Sequence, residues 1–103
     1  MFYKLDENKK VVPSSLEDFS TFMEVSLPTN YRHVGDDTID GKRISTVFIG
    51  LCVDINLTSR LPNVFETMVF DENEHGIYQR RYPTWEEAEL GHQRALQWVR
   101  EEC

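Results

Sequence analysis

The chain changes hydrophobic period several times, and each change marks an element. "FYKL" and "KKVV" are short alternating runs flanking Asp6-Glu7-Asn8, a spacing that predicts a hairpin closed by Pro13. Leu16, Phe19 and Met23 then recur at helical spacing, and Ser14 with Glu17 forms a capping box, predicting a helix over 15–24. Pro28 ends any continuation. "YRHV" can form a strand, and "GDDTIDGK" reads as an acidic turn with Asp40-Gly41 as its hairpin signal. Residues 43–53 are β-branched and nearly continuously apolar, which predicts a strand buried on both faces.

After the loop "DINLTSRLPN", "VFETMVFD" predicts a strand, "ENEHG" its turn and "IYQRRY" the returning partner. Thr84 and Glu87 make a second capping box, with Glu86, Glu87 and Glu89 suited to the positive end of a helix. Trp85, Ala88, His92, Ala95, Leu96 and Val99 share one face of that helix. The order ββα-βββ-α predicts one α+β domain over 1–103: an antiparallel sheet of about five strands with two helices packed on it.

Composition narrows the partners. With 103 residues the chain supports a single core, and 18 acidic against 11 basic residues give a net charge of −7. That balance disfavours direct nucleic-acid binding and anionic membranes, and suits a basic protein partner. The longest apolar run, "VFIGLCV", is far too short to cross a membrane, and the opening residues lack the pattern of an export leader. Those features and two isolated cysteines, Cys52 and Cys103, predict a reducing cytosol and no disulfide. The Asn56-Leu57-Thr58 sequon carries no meaning without secretion.

Three strings, "STVFIGL", "PNVFETMVFD" and "YQRRYPTWEEAELGH", resemble a family of small hypothetical proteins encoded in bacteriophages and prophages. The opening "FYKLDENKKVVPSSLEDF" resembles the family's hairpin-then-helix start, so the likeness covers most of the chain. The family pattern carries an Asp-His pair after the first string and a double proline before the second, where this chain reads "LCVDIN" and "SRLPNVF". A role for that histidine therefore does not carry over. The resemblance implies a phage setting in a bacterial host cytosol, and action by binding host or phage macromolecules, defence components included.

Candidate chemistry is sparse. His33, Asp36, Asp37 and Asp40 invite a metal reading, but an EF-hand register from Asp36 puts Thr38 third and Val47 where a glutamate belongs. A solvated turn is the simpler account, and neither a metal nor another cofactor is predicted. Cys52 sits between Leu51 and Val53, which favours a buried, inert thiol. The chain has none of the common nucleophile-elbow, Cys-x-x-Cys, zincin or phosphate-loop motifs, so no enzyme is predicted. His92 falls at the centre of an apolar helix face, as a neutral ring bonded to a sheet carbonyl or as a ligand or catalyst. Gly91 beside it would let the helix approach the sheet closely.

Glu66 interrupts the register of Val64, Met68 and Phe70, and a cross-strand ion pair with Arg80 or Arg81 accounts for it. "YQRRYPTW" puts Tyr78, Arg80 and Tyr82 on one face and Gln79 and Arg81 on the other. It reads as an ion-paired strand end or, with Thr84 and the helix start, as a site for an anionic nucleotide-type ligand. The leading expectation is a non-enzymatic binding protein that uses the acidic residues Asp36, Asp37, Asp40, Asp71, Glu72 and Glu74. A nucleotide-sequestering protein using Tyr78, Arg80, Arg81, Tyr82 and Thr84 is the alternative, and an enzyme of unrecognised type the third.

Overall fold

The computed structural model describes residues 1–52 and 54–102; the expected end of a strand at Val53 and the thiol of Cys103 lie outside the described residues. Strands β1 (Phe2–Leu5) and β2 (Val11–Ser14) are followed by helix α1 (Leu16–Ser26) and a single 3₁₀ turn (Leu27–Thr29). Then come β3 (His33–Ile39), β4 (Lys42–Phe48), β5 (Phe65–Phe70), β6 (Gly76–Tyr82) and helix α2 (Trp85–Glu102). The class is α+β, as predicted, but six strands form two antiparallel sheets, β1-β2 and the meander β3-β4-β5-β6.

The extra strand comes from residues read as a turn. Asp36 to Ile39 pair with Lys42 to Ser45, leaving only Asp40 and Gly41 as the loop. Both have positive φ, 50° and 80°, the geometry a two-residue hairpin with the right-handed strand twist demands. Acidic side chains do not prevent pairing when they point to solvent, and composition alone suggested otherwise.

The strand expected over 43–53 stops at Phe48 and is covered on one side only. Ile44, Thr46 and Phe48 are buried, whereas Arg43 is exposed and Ser45 and Val47 are half-buried. At Gly50 (φ +73°) the chain bends toward the first hairpin, where Leu51 bridges Phe2. Cys52 is consequently half-buried rather than sealed in a core. In β5 the buried set is Phe65, Thr67 and Val69; Glu66, Met68 and Phe70 occupy the other face, the reverse of the expected register.

Both capping predictions concern real helix starts, one shifted by a residue. Ser15, not Ser14, accepts from the Asp18 amide at 3.1 Å. Thr84 accepts from the Glu87 amide at 3.1 Å and its hydroxyl donates to the Glu87 carboxylate at 3.2 Å, so the carboxylate returns to the cap's side chain rather than to its amide.

Helix α2 lies across all four strands of the larger sheet. Its first half packs on Phe48, Val64 and Phe65, its second on Ile44 and Val69. Trp85 is half-buried, edge-on to Phe65, rather than fully enclosed. The first hairpin is pinned from its turn: the Lys9 ammonium donates to the Tyr31 carbonyl at 2.6 Å and lies over the rings of Tyr31 and Trp85. Burial there lowers the pKa of Lys9.

Gly91 is required by close approach. A Cβ built on it would fall 2.1 Å from Tyr82 Cζ, inside any tolerable contact. In an open helix Gly→Ala gains about 1 kcal/mol. Here Gly91→Ala should instead lose about 1–3 kcal/mol through overpacking against the Tyr82 ring. Urea denaturation measures it, and a raised midpoint would contradict this packing.

Candidate functional site

The functional candidates separate into three regions: a buried polar row, an acidic sheet end and the outer strand β6. The row starts at His92, which α2 aims between β3 and β4. Gly35 makes the space, since a Cβ there would sit 2.6 Å from His92 Nε2. Nε2 meets Asp37 Oδ2 at 2.7 Å and Nδ1 meets Thr46 Oγ1 at 2.6 Å; Thr46 Oγ1 in turn meets Thr67 Oγ1 at 2.6 Å. His92 is thus held by a carboxylate and a hydroxyl, not by the sheet carbonyl expected from sequence. In the neutral ring, Nε2–H donates to Asp37 and Nδ1 accepts from Thr46, whose oxygen then accepts from Thr67. Thr67 also hydrogen-bonds Tyr82, opposing the larger upward push that burial gives the phenol pKa.

Threonine, histidine and aspartate in a row carry the residue types of a nucleophile, its base and the base's orienting group. The environment differs from that of a working triad. Thr46 and Thr67 have 0% exposed surface, so the hydroxyl that would attack faces another hydroxyl inside the core. Only Asp37, with half its side chain exposed, reaches solvent. The row instead satisfies four polar groups while tying α2 to β3, β4 and β5.

The acidic residues lie at one end of the sheet. The β3–β4 turn carries Asp40, and the turn between β5 and β6 carries Asp71, Glu72 and Glu74. Glu72 joins the two turns through Lys42, with Nζ 3.1 Å from Oε1. That bond lowers the Glu72 pKa. Asp71 is occupied in shaping its turn, accepting from the amides of Asn73 and His75 at 2.9 Å each. The His75 amide bond is the first cause of its lowered pKa. On β3, Asp36 takes two hydrogen bonds from Arg43, at 3.2 and 3.0 Å, which hold its pKa down and raise that of Arg43. Asp37 faces the opposite side, toward His92. The suggested metal set of His33, Asp36, Asp37 and Asp40 is therefore divided between sheet faces and a turn. Among the described residues no group of three His, Cys, Asp or Glu side chains is placed to hold a metal ion.

Strand β6 divides the arginine motif. Glu66 pairs with Arg81, Oε2 to Nε at 3.1 Å, and takes a further bond from Gln79 at 2.6 Å. Arg81 also faces Asp54 at 3.7 Å. Arg80 points to the other face, beside α2, where its guanidinium lies 4.9 Å from the Tyr78 ring centre. It makes no salt bridge among the described residues, and Thr84 serves as the helix cap. The five-residue site of Tyr78, Arg80, Arg81, Tyr82 and Thr84 is thus not one site. Sequence reasoning missed Thr46 and Thr67 as buried partners of His92, because threonine suits both faces of a strand. It also passed over Trp98, which packs 5.0 Å from Tyr78.

No protein-family model, curated protein or solved structure matches the chain.

Removing one hydroxyl from the row should be costly. Thr46→Val strands both His92 Nδ1 and Thr67 Oγ1, a loss of about 1–3 kcal/mol. Combining it with Thr67→Val should cost less than the sum of the single changes, with a coupling of about 0.5–3 kcal/mol in a double-mutant cycle. Strict additivity in urea denaturation would show that the row does not act as a unit.

The acidic end predicts a pH dependence. Asp36, Asp71 and Glu72 have folded pKa values below their unfolded ones, so the unfolded chain binds more protons across that interval. Their stabilisation is present above the ordinary carboxylate range and is lost as pH falls through it, from about 5 downward. Arg43→Gln should flatten the fall in urea midpoint by removing the largest cause acting on Asp36. An unchanged slope would discount that pair.

Proposed function

We propose that this chain is a non-enzymatic binding protein of bacteriophage setting, working in the host cytosol, and that the acidic end of the large sheet engages a basic host or phage protein. One observation carries the reading: two turns separated by about thirty residues in sequence are brought side by side by the Lys42–Glu72 pair. Their carboxylates then act as one field rather than two. Asp40 and Glu74 make no salt bridge among the described residues, which leaves them for a partner.

The resemblance to phage and prophage proteins adds the setting, and a defence component is a partner of suitable kind. The absence of a catalytic role rests on the sealing of Thr46 away from solvent. Among the described residues no helix is long and apolar enough to cross a membrane, which agrees with a partner met in solution.

Asp40→Asn with Glu74→Gln tests the reading, because asparagine tolerates the positive φ at position 40 and neither side chain makes a salt bridge among the described residues. Immobilised wild-type chain should capture a basic protein from host lysate at low salt and release it at high salt. The double variant should slow association with that purified protein by about tenfold while leaving thermal stability unchanged. Capture that resists both salt and the double substitution would refute the acidic end as the contact.

A further inference from the structure

We infer that the surface between β6 and α2 binds a small nucleotide: the rings of Tyr78 and Trp98 stack its base, and Arg80 and Arg94 take its phosphate. The site is separate from the acidic sheet end and does not depend on its role. Tyr78 and Trp98 stand 5.0 Å apart at 42°, making an aromatic shelf along the outer strand. Arg80 lies over the Tyr78 ring, which fixes its guanidinium plane and leaves donor edges for a ligand. One of its nitrogens bonds the Gln79 carbonyl at 2.7 Å, holding the group in place. A groove of about 500 Å³ runs over the outer edge of β6, lined by Tyr78, Arg80 and Trp98 on the helix side and by Met68 and Gln79 from the uncovered sheet face. Its volume lies in the range of small-molecule sites.

Arg94 completes the set from the helix. Positions 91, 94 and 98 form one stripe of α2, with Gly91 against Tyr82 and Trp98 against Tyr78, so Arg94 falls between two contacts already made. Arg80 and Arg94 both act electrostatically on the Tyr82 hydroxyl, so both lie on the side of the sheet that carries that ring. Neither has a salt bridge among the described residues, although the chain carries 18 carboxylates. Leu90, Gly91, Gln97 and Trp98, the helical neighbours of Arg94, include no acid. Guarding an exposed strand edge against aggregation accounts for Arg80 alone, not for a second unpaired arginine on the helix.

Size and charge select the ligand. Inorganic phosphate would leave the aromatic shelf unused. A long nucleic-acid strand would extend its charge into the field of a chain of net charge −7. A nucleotide with one or two phosphates uses both parts.

The test uses the full-length chain with Trp85→Phe, so that fluorescence reports Trp98. Adenosine and guanosine monophosphates, a cyclic purine dinucleotide, adenosine, inorganic phosphate and a 15-nucleotide single strand serve as probes. At least one nucleotide should quench Trp98 saturably and raise the melting temperature. Adenosine and phosphate alone should bind far more weakly. Arg80→Gln and Arg94→Gln should each weaken nucleotide binding about tenfold without changing the melting temperature of the free protein. Three results would overturn the inference: no quenching by any nucleotide at millimolar concentration, unchanged binding in both arginine variants, or quenching by the single strand alone.

Discussion

The row Asp37–His92–Thr46–Thr67 is the constraint on which the rest of the arrangement depends. A histidine in the middle of an apolar helix face must find partners for both ring nitrogens or incur the full desolvation cost of each. Here the ring's partners come from two strands, Asp37 of β3 and Thr46 of β4, and Thr46 carries the row on to Thr67 of β5, so satisfying one ring ties the position of α2 to all three. Space for the ring exists because position 35 is glycine, and the helix sits low enough because position 91 is glycine. Apolar packing around the row is non-directional and would tolerate a shifted helix. The hydrogen bonds would not.

Two consequences follow for the surfaces. Because α2 covers one face of the sheet at a set height, Tyr78 and Tyr82 are brought against Trp98 and Gly91 of the helix, with Arg80 over the Tyr78 ring, whereas on the uncovered face Arg81 neutralises Glu66 and Gln79 adds a hydrogen bond. A run of two adjacent arginines is thereby converted into one structural ion pair and one cation that makes no salt bridge among the described residues. The meander topology meanwhile places alternate turns at the same end, which gathers Asp40 with Asp71, Glu72 and Glu74. The acidic and basic features of the molecule are therefore products of the same sheet, segregated by strand direction and side-chain alternation. The strings "STVFIGL", "PNVFETMVFD" and "YQRRYPTWEEAELGH" meet at the row: the first supplies Thr46, the second Thr67, the third His92.

By itself the sequence determined the class and most elements, because these depend on local periodicity. Alternation in "IYQRRY", helical spacing from Trp85 to Val99 and the Thr84–Glu87 box were legible since each is written within a few residues. The Asp40-Gly41 turn was equally legible from backbone preference, and hairpin register narrowed the partner of Glu66 to Arg80 or Arg81, of which the structure selects Arg81. Tertiary structure decided what periodicity leaves open. Whether Asp36 and Asp37 formed a turn or a strand depended on a neighbour, β4, able to pair with them. Which face of β5 is buried turned on Thr67, a polar residue acceptable in the core because Thr46 satisfies it. The partners of His92, and the packing of Trp98 on Tyr78, join residues from separate elements. No local signal encodes such contacts; they exist because burying one helix face against one sheet face leaves a single mutually satisfied arrangement.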